Sequence, residues 1–332
     1  MGKFRRIVVP ALAAAMLGSA TLAAQAEVKW DLSTIWADNN YHTLNAKKFA
    51  EEVARITDGE VQITVKAGGQ LGFKGPEHLR AVRDGLIPMA DVLNIQQVGD
   101  EPILGSEAIP FLAGSAKEWV VLHKHLRPVY ETVAARNNQK ILYMVPWPTQ
   151  YLHLKEEVTD LAALKGVKIR VPDKGVQNLL EAVGVAPVLI PWGEVIPALA
   201  SGAVAGVSTS SISAVDGKFW EFLKVSHATN HVWSSQMMNV NLDQWNELSP
   251  EHQQAIVELA AKMEPEFWKS STKADTDSVA TLEANGMKVV EVAEPMLKEL
   301  RAKTAPLMEA FFERVPDARA PVTAYLKEMN RE

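Results

Sequence analysis

The stretch Leu164–Gly175 reads LKGVKIRVPDKG. Val167, Ile169 and Val171 alternate with Lys168 and Arg170, the pattern of a short strand with one apolar and one basic face. Gly166 marks a turn before it, and Pro172 and Gly175 stop it. Arg170 can face water, or it can aim a planar fork of donors at an anion. Taken alone the strand favours water, because basic residues on half-buried strands usually face outward. Three tryptophans offer a second kind of chemistry. Trp36 follows the first predicted strand, Trp147 follows ILYMVP and Trp192 follows APVLIP. Each sits where a strand gives way to a loop or helix, the edge at which open α/β sheets bind ligands. One such indole is commonly packing; three at equivalent edges point to an apolar wall around a ligand.

Catalytic patterns are missing. The chain has no HExxH, no GxSxG, no GxxxxGK[ST] and no GxGxxG between a strand and a helix. His123 and His125 are two apart in a helix-like stretch and face different ways. His227 and His231 are four apart, but Thr229 and Asn230 between them suit a strand or loop, which does not set up a chelating pair. The carboxylates over residues 250–294 fit solvated helix faces. GGQLG lacks the lysine and helix start of a phosphate cradle and reads as a tight turn near a cleft. No enzyme, cofactor or metal is expected.

The elements that would position these residues alternate between strand and helix. VKWDLSTI predicts a first strand. Ala46, Phe49, Ala50 and Val53 recur at helical spacing up to Asp58-Gly59, and Val61, Ile63 and Val65 form a second strand. Leu79, Val82 and Leu86 predict a helix broken at Gly85, followed by the strand MADVLNI. A second set holds ILYMVPW, the Arg170 strand, a helix over 176–183, APVLI, a short helix over 192–201 and a strand beginning over 204–207. This is the order of an α/β fold with two doubly wound domains and a cleft between them. HLRAVRDGLIPMADV and VIPALASGAVAGV are loosely alike, as two domains of one construction would be. Ser249 can cap and Pro250 can start a helix of about 35 residues, roughly 50 Å long, that reaches across both domains. Pro265 should kink or split it. MKVVEV is a late strand, and a helical region closes the chain. The expected division is 27–147 with about 236–272 as domain I, and 148–235 with about 273–332 as domain II.

Lys3, Arg5 and Arg6 precede an apolar run that ends in Ala24-Gln25-Ala26, which predicts a secretory signal peptide over residues 1–26 cleaved after Ala26. With no cysteine in the chain, disulfides, thiol nucleophiles and a lipidated cysteine are excluded. The chain has 34 Lys+Arg and 40 Asp+Glu; without the three leader bases the balance is 31 − 40 = −9. An acidic total argues against nucleic acid or an anionic membrane as partner and leaves small anions open.

Taken together, FAEEVARITDGEVQITVKAGGQLG, LKGVKIRVP, EVIPALASGAVAG and NLDQWNELSPEHQQAIVELAAK resemble the solute-binding subunit of tripartite ATP-independent periplasmic (TRAP) transporters, over nearly the whole mature chain. The resemblance implies a type II periplasmic-binding-protein fold closing on a small organic acid, delivered to the small and large permease subunits. It makes Arg170 the carboxylate partner, since its strand matches the family's K-[IL]-R-V. It puts Gln150 where many members carry a second base, which argues against a dianionic or sialic-acid-like ligand, and puts Trp192 where an aromatic residue often walls the ligand. The family's G-x-V-D-G-x-E-N reads GAVAGVSTSS here. Ala205 thus replaces an acid, Ser208 and Thr209 replace the E-N pair, and Thr209 and Ser210 become candidate hydroxyl contacts. Asn94, Gln96 and Asn40 are further candidates from the first domain, beside Trp36 and Trp147. The expected ligand is a compact monocarboxylate with an apolar, keto or aromatic body, bound by a monomeric periplasmic protein. The alternatives are a C4-dicarboxylate or sugar acid, or a binding protein of an ABC importer or sensor.

Overall fold

In a computed structural model of the chain, Gly2 and residues 27–331 are described. The signal peptide expected over residues 1–26 lies, apart from Gly2, outside them. Eleven strands among the described residues form two sheets. The first takes β1 (Val28–Ser33), β2 (Val61–Lys66), β3 (Met89–Leu93), β4 (Gln139–Trp147) and β10 (Ser234–Asn241), in the order β2-β1-β3-β10-β4. The second takes β5 (Tyr151–Leu154), β6 (Lys168–Val171), β7 (Ala186–Leu189), β8 (Gly206–Thr209), β9 (Val225–Ala228) and β11 (Lys288–Glu291), in the order β11-β9-β5-β8-β6-β7.

The sheets are built alike. Three parallel strands run β2-β1-β3 in one and β7-β6-β8 in the other, and each has one strand antiparallel to both neighbours, β10 and β5. The chain path explains those reversed strands. After β4 the chain crosses to the second sheet, and after β9 it crosses back. Each crossing leaves at the carboxyl edge of one sheet and enters the other at its own carboxyl edge, so the entering strand must run backward. The loosely similar segments noted in the sequence occupy matching places. Each supplies a helix, α2 (His78–Arg83) or α5 (Val195–Ala200), and the third strand of the parallel trio.

Other helices cover both faces: α1 (Tyr41–Ile56), α3 (Ala116–Arg136), α4 (Lys174–Ala182), α6 (Ser211–Asp216) and α7 (Leu242–Asn246). With both faces covered, β3 is buried at every position and splits its side chains between two cores. Met89 and Leu93 join Trp30, Leu32 and Phe49 on one side; Ala90 and Val92 join Trp119 and Leu126 on the other.

Helix α8 (Pro250–Ala284) is continuous over 35 residues. Pro265 does not split it. A proline inside a helix costs about 3 kcal/mol, and here burial along two lobes offsets it. Ile256, Met263 and Phe267 pack into the first core, and Leu282 packs into the second lobe's outer core. Ser270 and Asn45 bond at 3.0 Å, and Trp268 Nε1 donates to Met144 O at 2.7 Å.

The C-terminal helices are α9 (Glu294–Thr304), α10 (Pro306–Arg314) and α11 (Arg319–Glu328). Helix α9 packs against α4 of the second lobe. Helix α11 instead packs against α3, and Phe312, Val322 and Tyr325 complete the first lobe's outer core. Assigning everything after 272 to domain II misses this return. We propose a division in which residues from 306 onward belong to the first lobe.

Three boundaries differ locally. The predicted strand MADVLNI stops at Leu93, where Asn94–Gln96 turn tightly. The strand expected over 204–207 begins at Gly206, because Ala203 and Val204 bond back to Ala198 O and close α5. Helix α2 ends before Gly85, whose φ of +69° turns the chain, and Leu86 is exposed.

Candidate functional site

The carboxyl ends of strands from both sheets meet at one small cavity. Trp36 lies beyond β1, Leu93 ends β3, Trp147 ends β4, Arg170 is near the end of β6, and Thr209 ends β8. Gln150 sits in the crossing from β4 to β5, and Ser234 begins the return strand β10. The two reversed strands therefore start at the site, and the first crossing is part of its wall.

Arg170 is 2% exposed, whereas Lys168 on the same strand face is exposed. Its Nε donates to Ile190 O at 2.9 Å, just past β7. Among the described residues no carboxylate forms a salt bridge with it, and neither Nη finds a hydrogen-bond partner. Burial pushes its pKa down to about 10, with Asp173 opposing that shift, so the group stays cationic at neutral pH. Asp173 is not a substitute partner. Its Oδ1 caps α4 by accepting from Gly175 N at 2.7 Å and Val176 N at 3.1 Å, and burial raises its pKa to about 6.

The indoles enclose this cation. Trp36 and Trp147 meet edge to face with centroids 4.7 Å apart, and Trp36 reaches Trp192 of the second lobe at 6.1 Å. The Arg170 guanidinium carbon is 6.0 Å from the Trp192 ring centre. Trp147 Nε1 donates to Gln236 Oε1 at 2.9 Å, which locks that ring.

Gln150 is fixed through its backbone. Its N–H donates to Val232 O at 3.1 Å, and its carbonyl accepts from Asn230 N at 3.1 Å and Thr229 Oγ1 at 3.3 Å. Its side-chain amide has no partner among the described residues, and Oε1 is buried. Thr209 is held from behind: a backbone carbonyl can only accept, so His153 Nε2–H donates to Thr209 O at 3.2 Å, and Nδ1 then accepts from Ser226 Oγ at 2.8 Å. Burial keeps that imidazole neutral, with its pKa lowered to about 4.

Most of the sequence candidates converge here: Arg170, Gln150, Trp192, Thr209, Ser210, Trp36, Trp147 and Gln96 all line the cavity. Two do not. Asn40 caps α1 by accepting from His42 N at 2.9 Å and donates to Asp216 at 2.7 Å, bridging the lobes beside the cavity. Asn94 donates to Ser235 Oγ at 3.2 Å, behind the wall. Asn40 is taken up by its cap and by Asp216, and the Asn94 N–H by Ser235 of β10. Ser210 lines the cavity while capping α6, its Oγ accepting from Ser213 N at 3.1 Å. Sequence reasoning missed Ser213, Ser234, Pro172, Leu93 and Ile95. Ser213 had a usable signal, one helical turn beyond Ser210; Ser234 became visible only once β10 was known to start at this edge. His227 and His231 do not pair: His227 Nε2 accepts from Val158 N, and His231 bonds Ser208 and Thr229.

A roomier, mainly apolar cavity elsewhere, walled by Ile109, Leu307 and Phe311 among others, takes in none of the converging residues. The lobes also touch at the rim, where Lys74 of the glycine-rich loop reaches Glu194 at 2.8 Å.

The family model for DctP, bacterial extracellular solute-binding proteins of family 7, matches residues 32–315. A TRAP solute-binding protein from a marine metagenome, specific for pyroglutamate, has a similar structure: 30% identity and a TM-score of 0.87, covering 91% of this chain and 99% of that one. An extracytoplasmic solute receptor of Bordetella pertussis that binds pyroglutamic acid is 28% identical with a TM-score of 0.87, covering 90% of this chain and 99% of its own. A monocarboxylate 2-oxoacid-binding periplasmic protein of Nostoc is 23% identical over 294 residues, 82% of this chain and 76% of that protein.

Proposed function

The chain belongs to the DctP family of bacterial extracellular solute-binding proteins, and we propose that within it the ligand is a small cyclic monocarboxylate the size of pyroglutamate. The family is periplasmic, binds organic acids and serves membrane permease subunits of TRAP transporters; its members are receptors rather than enzymes. One observation carries the finer reading. Among the described residues lining the cavity, Arg170 is the only charged side chain, and it is buried without a counter-ion. A monocarboxylate neutralises it; a C4-dicarboxylate leaves a second charge buried without a partner, which is strongly unfavourable. The two structural neighbours above hold pyroglutamate, whose ring carries an amide. This reading places a cyclic amide body ahead of the apolar or aromatic body suggested by the three indoles.

Capture works by closure. Arg170 and Thr209 belong to one lobe, Trp36 and Trp147 to the other, so only the closed form offers every contact and ligand favours it. No bond is made or broken.

Thermal denaturation of the purified protein against pyroglutamate, malate, glucuronate, pyruvate, benzoate and a neutral sugar tests the reading. Pyroglutamate at a hundred times its Kd should add about 2.7 kcal/mol of stability. Stabilisation by malate or glucuronate but not by pyroglutamate would overturn it.

A further inference from the structure

Three polar side chains of the cavity carry buried atoms without partners among the described residues: Trp36 Nε1, Gln96 Oε1 and Gln150 Oε1. They are not equivalent. The Gln96 oxygen lies against its own lobe's backbone, where a Cβ built on Gly75 would meet it at 2.1 Å. That leaves one N–H donor, on Trp36, and one carbonyl acceptor, on Gln150. Trp147 makes the contrast plain, because its own Nε1 is satisfied by Gln236 at 2.9 Å. Buried polar atoms are paired almost everywhere in proteins, and exceptions at a binding wall mark positions where the ligand supplies the partner.

We infer that Trp36 Nε1–H and Gln150 Oε1 read a ring amide, so that the ligand class is a lactam carboxylate. This rests on the monocarboxylate reading above and adds to it the two residues that choose the ring. Arg170 holds the carboxylate, Trp36 donates to the lactam carbonyl, and Gln150 accepts from the lactam N–H. The backbone of Gln150 is clamped on both sides by Val232, Asn230 and Thr229, so its amide is presented by a fixed stem. Trp36 is held by its edge-to-face contact with Trp147. A site that spends two buried groups on a ligand's polar atoms rejects analogues lacking them, because those groups stay unpaired.

Three isosteric acids separate the contacts in calorimetric titrations of the full mature chain. These are pyroglutamate, its lactone analogue with ring oxygen for the N–H, and the cyclic ether acid that lacks the carbonyl as well. The wild-type protein should prefer lactam to lactone, and lactone to ether, each by about 10- to 100-fold. Gln150→Leu should collapse the lactam-to-lactone ratio toward one, and Trp36→Phe the lactone-to-ether ratio. Comparing ratios within each variant removes any general loss of affinity, and the wild-type ratios stand even if a variant does not fold. Equal wild-type affinities, or ratios that survive the substitutions, overturn the inference and leave the monocarboxylate function standing. If none of the three acids binds, both readings fall together.

Discussion

In the proposed site a single guanidinium carries most of the chemistry, and its two roles can be separated. For the ligand, Arg170 offers a planar pair of Nη donors that stay charged at neutral pH despite burial. For the ligand-free fold it is a liability, since a buried unpaired cation is costly to hold. Arg170→Met should therefore abolish the ligand-induced thermal shift while the ligand-free protein melts no lower than wild type. Arg170→Lys keeps the charge but loses the fork and the Nε bond to Ile190. With about 1.5–3 kcal/mol for a charge-assisted hydrogen bond, that variant should bind about 10- to 150-fold more weakly by calorimetry. Unimpaired binding by either variant removes Arg170 from the site. Lys168 shows what the sequence alone could not decide. It occupies the same face of β6 two residues earlier, yet it is exposed and Arg170 is not. Strand periodicity gives the face; depth along the strand relative to the other lobe decides the role, and that is a tertiary property. Asn40 and Asn94 do not line the cavity for a similar reason, because caps and cross-strand partners compete for short amides.

Strand ends, not motifs, build the site, and this part was legible. Tryptophan at the end of β4 and beyond β1 and β7 marked the carboxyl edges before any pairing was known, and the turn residues around β6 gave its limits almost to the residue. The reversed strands β5 and β10 were not legible, since alternation carries no direction; only the two chain crossings dictate it. The same edges impose a packing condition on closure. At the start of α4, Gly175 has no room for a side chain: a Cβ there would meet Asp173 Oδ1 at 2.9 Å, Ala108 Cβ at 3.1 Å and Ala108 O at 3.4 Å. Ala108 belongs to the segment between β3 and α3, in the first lobe. Gly175→Val should overpack the contact between lobes by about 1–3 kcal/mol, borne by the closed form. Apparent affinity for ligand should then fall about 5- to 150-fold, while α4 keeps its cap from Asp173. Calorimetry together with a ligand-free melting curve checks this. A large loss of ligand-free stability with unchanged affinity would mean that the contact supports the fold instead of closure.

Across the whole molecule, buried titratable groups outnumber those that the ligand needs, and they tie stability to pH. Burial is the largest cause for each. It lowers the histidines, His78 and His153 to about 4 and His123 and His231 to about 3, and it raises Asp91 and Glu107 to about 8. Both carboxyls sit in the first lobe behind the cavity. Asp91 accepts from Thr34 Oγ1 at 3.1 Å, and Glu107 accepts from Ser235 N and Oγ at 2.6 Å each. In the unfolded chain the histidines titrate near 6.5 and the carboxyls near 4. Below about pH 6.5 the unfolded chain takes up protons on histidines that the native state keeps neutral, so these groups make stability rise with pH up to that point. Between about 4 and 8 the native state holds protons on Asp91 and Glu107 that the unfolded chain has lost, so these two make stability fall as pH rises. The opposing contributions overlap below 6.5. Above it the histidines are neutral in both states, and only the carboxyls still act. Unfolding free energy should therefore decline from about pH 6.5 to about pH 8, with a slope of at most about 1.4 kcal/mol per pH unit for each group. Urea titrations at half-unit steps measure it. Asp91→Asn with Glu107→Gln should flatten the decline while preserving the rise at lower pH, because α8 and both sheets stay as they are and the histidines are untouched. An unchanged slope in that double variant would mean that the two carboxyls already ionise in the native state at neutral pH, sharing their charge with Thr34 and Ser235.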